Sequence, residues 1–222
     1  MISDDTGTPG DKRWEIETAF TWEHRPGGSV YQTPILDANY GAGSRIELNL
    51  ELPWQWTFEK EGHEQGLGDT ELAVKWRFID SGENGISVST YPKITFNSVQ
   101  GSVRSGLVES DRSFFLPIEV CKNFGPIEAN LEFGPEFHQA GGLLFDYGIV
   151  LGHQFTKRFE AMAEYHDTWF AEDHGNERIF DFGFRYELTE GRTLLFALGS
   201  GPRSTPEHTV TGVGYLGMEI DF

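Results

Sequence analysis

A chain of 222 residues with 35 acidic and 17 basic side chains carries a formal charge of −18, which argues against nucleic acid as a partner. Aromatic residues at 14% and 27 glycines suit many strands joined by tight turns. Mean hydropathy of −0.40 and the lack of a long apolar run exclude a transmembrane helix, though not a membrane barrel, whose strands alternate and so halve their mean hydropathy.

One cysteine, Cys121, permits no internal disulfide and says little about redox compartment. The start, Met1-Ile2-Ser3-Asp4-Asp5, has neither a basic region nor an apolar one, so an exported protein is expected here with its signal peptide already removed. Residues 3–11 are small, polar and turn-rich, which predicts an N-terminal tail over 1–12 leading into one domain over 13–222.

Alternation begins at Trp14. Trp14, Ile16, Thr18, Phe20 and Trp22 share one face, opposite Glu15, Glu17, Ala19, Thr21 and Glu23. The next run sets Pro34, Leu36, Ala38 and Tyr40 against Thr33, Asp37 and Asn39, with Ile35 on the wrong side for a polar interior. In the third, Ile46, Leu48, Leu50, Leu52, Trp54 and Trp56 oppose Arg45, Glu47, Asn49, Glu51 and Gln55, and no helical period fits. A polar loop is expected over 59–68. Leu72, Val74, Trp76 and Phe78 then oppose Glu71, Lys75 and Arg77.

After an expected turn at 81–85, Ile86, Val88, Thr90, Pro92, Ile94 and Phe96 face away from Ser87, Ser89, Tyr91, Lys93 and Thr95, with a bulge expected at Pro92. A long loop over 97–111 precedes Phe114, Leu116, Ile118 and Val120, opposite Glu119. Three odd-parity runs follow, from Ile127 to Phe133, Leu143 to Leu151 and Phe159 to Tyr165, with Glu128, Glu132, Asp146, Glu160, Glu164 and His166 on the other face. Phe180, Phe182, Phe184 and Tyr186 oppose Asp181, Arg185 and Glu187; Leu194, Phe196 and Leu198 come next. The chain closes on Leu216, Met218, Ile220 and Phe222, opposite Tyr215, Glu219 and Asp221.

The pattern predicts an all-β fold: a closed antiparallel transmembrane β-barrel of about 12 strands in an up-and-down meander. Pairing of the first strand with the last removes the open edge. Connections after even-numbered strands are short, and several after odd-numbered strands are long and polar, as in bacterial outer-membrane barrels. Tryptophans and Phe222 fall near strand ends and predict two interfacial belts.

Several stretches resemble a family of bacterial outer-membrane barrel proteins named for the MetA pathway of phenol degradation. They are Asp4-Asp5-Thr6-Gly7-Thr8-Pro9-Gly10, Thr33-Pro34-Ile35-Leu36-Asp37-Ala38-Asn39-Tyr40-Gly41, Gly66-Leu67-Gly68-Asp69, Val74-Lys75-Trp76-Arg77-Phe78, Ser89-Thr90-Tyr91-Pro92, Leu107-Val108-Glu109 and Phe124-Gly125-Pro126. The resemblance spans nearly the whole chain. It implies a transporter of the Gram-negative outer membrane with a loose link to uptake of aromatic compounds, and it brings no catalytic set.

With oily side chains outward, the lumen is expected to carry Glu15, Glu17, Glu47, Glu51, Glu71, Glu119, Glu132, Glu164 and Asp181, interspersed with Arg45, Lys75, Arg77, Lys93 and Arg185, and Tyr91 as an apolar contact. Such a porin-like lining favours cations or neutral solutes, and replacing Arg77 or Lys93 is expected to alter ion selectivity. The expected function is a channel for small molecules, aromatic or hydrophobic ones among them, with no enzyme activity, cofactor or metal. The alternatives are a lipid-acting enzyme and a closed structural barrel. Expected partners are outer-membrane lipid and lipopolysaccharide, the solute, and the barrel assembly machinery through the C-terminal strand. Glu172, Asp173, His174 and Glu177 gather in one loop, where a solvated surface is a commoner outcome than a divalent site.

Overall fold

The computed structural model describes residues 1–60, 62–80, 85–202 and 209–222. Twelve antiparallel strands close into a barrel, each bonded to its neighbours in sequence. The first three are Trp14–Arg25, Gly28–Gly41 and Ile46–Glu59. Three strands in two segments follow: Gly62–Leu67 with Thr70–Ile79, Ile86–Thr90 with Lys93–Phe96, and Arg112–Phe115 with Ile118–Phe124. The seventh to twelfth are Ile127–His138, Leu143–Thr156, Phe159–Phe170, Asn176–Thr189, Arg192–Ser200 and Gly212–Asp221.

Closure is made by the first and twelfth strands, in register from Glu15 opposite Asp221 to His24 opposite Gly212. Trp14 and Phe222 exchange both backbone hydrogen bonds, at 2.9 and 3.3 Å, so the terminal aromatic residue is held at the short-turn rim. The fifth and sixth strands break at Tyr91-Pro92 and Leu116-Pro117, where proline has no N–H to give the ladder. The ladder continues on either side of the breaks: Pro92 O accepts from Val74 N–H at 3.1 Å, and Leu116 N–H donates to Pro135 O at 3.0 Å.

Oily side chains point out and charged ones in. Leu48 is 45% exposed and Phe182 69%, whereas Glu119 and Ser89 are fully buried. A surface this apolar needs hydrocarbon around it. Trp14, Trp54 and Trp76 stand exposed near strand ends, and Trp14 packs on Tyr40 with ring centroids 4.8 Å apart.

One expectation changes. Residues 59–68 are not simply a polar loop: Gly62–Leu67 continues the hairpin, pairing with the third strand from Trp54 opposite Leu67 to Glu59 opposite Gly62. Polar side chains on both faces hide this from a hydrophobic-pattern reading. Ile35 lies inside the barrel, as its parity with Asp37 and Asn39 predicts, with Leu36 exposed outside; a register slip between Gln32 and Ile35 falls just before it. The long 97–111 connection holds a short helix, Gln100–Arg104, and folds against the mouth. Ser102 donates to Leu67 O at 2.7 Å and Gln55 to Leu107 O at 2.9 Å. The expected turn at 81–84 and the loop at 203–208 lie outside the described residues.

Because Leu48 faces hydrocarbon, Leu48→Arg is predicted to destabilise the barrel by about 2–4 kcal/mol. Reversible unfolding in phospholipid vesicles checks this; a neutral result would mean that Leu48 faces water.

Candidate functional site: the barrel lumen

Residues 1–12, expected as an N-terminal tail, run up the bore together with Arg13. The segment enters at the short-turn rim, where Lys12 N–H donates to Gly41 O at 2.8 Å and Gly41 N–H to Arg13 O at 2.9 Å. Here the wall must be glycine, since a Cβ on Gly41 would overlap the Gly10 carbonyl. Higher up, a Cβ on Gly148 would overlap Ser3 Oγ.

The segment is held along its whole length. Thr8 Oγ1 donates to Ser44 O at 3.2 Å, and Thr6 Oγ1 bonds Ser87 Oγ at 2.6 Å. Arg77 donates to Thr6 O at 3.2 Å, and Arg185 reaches Asp5 at 3.4 Å. Asp4 sits between two ammoniums, with Lys75 Nζ at 2.7 Å and Lys93 Nζ at 3.7 Å. Its carbonyl accepts from Asn130 Nδ2. At the top, Ile2 N–H and Ser3 N–H donate to the two oxygens of Glu164 at 2.6 and 2.7 Å.

Electrostatics explains why an acidic segment enters an acidic bore. Burial opposes ionisation of Asp4, yet the charges of Lys75 and Lys93 outweigh it and hold the carboxyl at about 2. Both ammoniums also lie 4.5 Å from the centroid of the Tyr91 ring. Lys93 keeps a second, looser partner in Glu71 at 3.8 Å.

Two cavities of over 400 Å³ flank the segment. One of about 430 Å³, nearer the turns, is lined by the segment and by Glu15, Glu17, Glu47, Glu51, Lys75, Tyr91, Lys93 and Arg185. The other, about 440 Å³, lies toward the long loops and is bordered by Met1, Ile2, Val30, Val213, Tyr215 and Asp181. Of the remaining sequence candidates, Glu119 is buried against Ser89 at 2.6 Å, Glu132 accepts from Asp4 N–H at 3.4 Å, and Glu164 binds the segment top. Glu71 partners Lys93. Arg45 lies outside the bore proper: its side chain is 55% exposed at the turn rim, bound to Asp80, because it precedes the third strand rather than standing within it. Arg77 shares Asp80 at 3.0 Å.

The loop cluster does not converge on an ion. Glu177 is taken by Arg25 at 2.5 and 3.1 Å, Asp173 accepts from Gly175 N–H, and His174 stacks on Trp169. Glu15, Glu219 and Asp221 do bring carboxylate oxygens within 4.8 Å of one another at the turn rim. Two Ser–His contacts exist among the described residues. His24 Nδ1 lies 2.7 Å from Ser29 Oγ with no carboxylate beside it among the described residues. His166 Nδ1 is 3.5 Å from Ser3 Oγ and its other nitrogen 3.6 Å from Asp146. In that second group Ser3 N–H is spent on Glu164, and its long contacts do not make an activated nucleophile.

The residues missed from sequence are those of the segment. Asp4 and Asp5 fall in a stretch with no periodicity, so nothing local distinguishes a docked tail from a free one.

Comparison with known proteins matches no family model and no curated protein. Solved structures do match across nearly the whole chain. A KdgM porin has a TM-score of 0.66 at 12% identity, covering 94% of this chain and 99% of its own. NanC porin gives 0.64 at 7%, covering 92% and 98%. The translocator domain of the autotransporter NalP from Neisseria meningitidis gives 0.59 at 11%, covering 95% and 88%. At these identities the likeness is one of fold. The chain is a closed twelve-stranded barrel of the architecture seen in outer-membrane porins.

Proposed function

We propose that the chain is an outer-membrane channel for small solutes, kept narrow by its own N-terminal segment. The observation that carries this reading is the charged, cavity-bearing interior of a barrel with a lipid-compatible outside. A structural barrel needs neither cavity. Porin-like neighbours support the channel role at the level of fold. The outer membrane is the proposed location, with lipid, lipopolysaccharide and the assembly machinery as proposed partners.

Carboxylates outnumber basic groups around the turn-side cavity, so cations and neutral molecules are the favoured solutes. One neighbour was solved in complex with disordered oligogalacturonate, an anionic ligand. That chemistry fits this lining poorly. The apolar border of the long-loop cavity instead supports small aromatic or hydrophobic solutes, in keeping with the resemblance to the phenol-degradation family.

Docking of residues 1–13 along the bore favours one rival, a permanently closed barrel, and conductance decides between them. A variant lacking residues 2–10 is predicted to conduct several-fold more than the full chain in planar bilayers. Lys75→Met is predicted to move in the same direction, by a smaller amount, because it strips Asp4 of its closest cation and leaves only Lys93 at 3.7 Å. If neither the full chain nor the shortened one conducts, the barrel is closed and the channel reading fails.

Glu47→Gln with Glu51→Gln is predicted to shift the reversal potential toward lower cation preference; an unchanged potential would place both outside the ion path. For Asp4, whose carboxyl is held below its unfolded value, docking free energy is fully present above about pH 4 and is lost as pH falls toward 2. Protease protection of the segment is therefore predicted to be constant from pH 7 to about pH 4, a range fixed by the unfolded carboxylate value. Release at pH 5 would show that other groups hold it.

A further inference from the structure

One ionised pair stands on the lipid-facing side of the wall. In the ninth strand Tyr165, Asp167 and Trp169 share the outward parity of Phe159, and Asp167 lies between Tyr147 on the eighth strand and Arg178 on the tenth. Asp167 is only 1% exposed because four donors cover it. Asn176 Nδ2 reaches one oxygen at 2.7 Å; the Tyr147 and Tyr165 hydroxyls, at 2.7 and 2.8 Å, and Arg178 Nε, at 3.1 Å, reach the other. The carboxylate is complete. The guanidinium is not: its side chain is 50% exposed, and its two terminal nitrogens make no hydrogen bond among the described residues. Glu177, beside it in sequence, points into the bore and is held by Arg25 at 2.5 and 3.1 Å.

The height of this pair in the membrane follows from its strand. Asp167 lies eight positions above Phe159, about 20 Å along the barrel axis at about 3.3 Å per residue and a tilt of about 40°. The apolar band of an outer-membrane barrel is about 25 Å tall, so the pair stands near its upper edge, on the long-loop side. The next outward row agrees: the Phe145 and Trp169 rings, with centroids 5.6 Å apart, belong to the interfacial belt. Toward the middle of the band Ala163 stands between Leu151, 53% exposed, and Phe182, 69% exposed, and Ala161 continues the low line beneath it. The two ridges leave a shallow groove running down the wall below Tyr165.

An arginine among lipid tails is costly, but at the headgroup boundary its free donors meet phosphate. We propose that Arg178, aimed by Asp167, binds the phosphate of an outer-leaflet lipid, lipid A in an outer membrane, with an acyl chain laid in the groove over Ala163 and Ala161. The two terminal nitrogens form a fork that matches two oxygens of one phosphate, and a phosphate monoester offers more charge and more free oxygens than a phosphodiester. Asp167 takes Nε and so fixes the fork on the outer side of the wall. The proposal rests on the outer-membrane location and not on the channel reading, since a barrel that never conducts presents the same wall.

Titration of the full chain in detergent, read by native mass spectrometry, tests this with diphosphoryl lipid A, its fully dephosphorylated form, phosphatidylglycerol and inorganic phosphate. Lipid A is expected to bind about tenfold or more tighter than the dephosphorylated form, the scale of a hydrogen bond to a charged group. It is expected to bind tighter than phosphatidylglycerol too, and inorganic phosphate at equal concentration is expected to displace none of it. Arg178→Gln should erase the gain from the phosphates, and Arg178→Lys should keep part of it. Arg112→Gln, which removes an exposed cation elsewhere on the long-loop rim, should leave the gain intact. Heat-modified gel migration checks folding; if the unpaired Asp167 unfolds the single variant, Arg178→Gln with Asp167→Asn removes both charges and should show the same loss. The assignment is overturned by equal binding with and without the phosphates, a gain that survives in Arg178→Gln or its paired variant, an equal loss in Arg112→Gln, phosphatidylglycerol matching lipid A, or displacement by inorganic phosphate. Membrane fractionation reads the location separately: an inner-membrane chain that keeps the preference refutes the location and leaves the site standing, and an outer-membrane chain without it does the reverse.

Discussion

The structure depends on one constraint: in hydrocarbon every backbone N–H and C=O must find a partner within the protein. Twelve strands meet it only by closing, through the ladder between Glu15–His24 and Gly212–Asp221. Closure has a second effect. Once the outside is committed to lipid, the alternate side chains, most of the charged ones among them, are delivered to a single enclosed space. The acidity of the bore is thus a consequence of net charge and geometry together.

That enclosed space has to balance its charges locally, and the N-terminal segment takes part. Lys75 and Lys93, flanking Tyr91, would otherwise have only wall carboxylates as partners; Asp4 is drawn between them and Asp5 toward Arg185. Basic residues that a sequence reading gives to passing ions are in large part occupied by the chain itself. The fit is steric as well. Glycine at 41 and 148 lowers the wall where the segment passes, so the route up the bore is built into both partners.

Proline shapes the wall in a related way. Where Pro92 and Pro117 interrupt adjacent strands, the ladder is carried by the flanking segments, and Thr90 Oγ1 donates to Pro117 O at 2.7 Å across the gap. The inner face at this level holds Tyr91 and Glu119, both buried.

The period-two pattern determined the barrel: which face meets lipid, how many strands there are, and which ends carry the long loops. Leu48 against Glu47 and Phe182 against Asp181 could be assigned because alternation is a local property of each strand. What lay beyond one strand was not legible. Gly62–Leu67 depended on a partner strand that its own polar residues do not advertise, and Arg45 on where a turn ends. The docked segment is the plainest case. Asp4 meets Lys75, 71 positions away, and Glu164 meets Ile2 across 162; no local signal encodes such contacts, because they arise only when closure brings distant walls around a common axis.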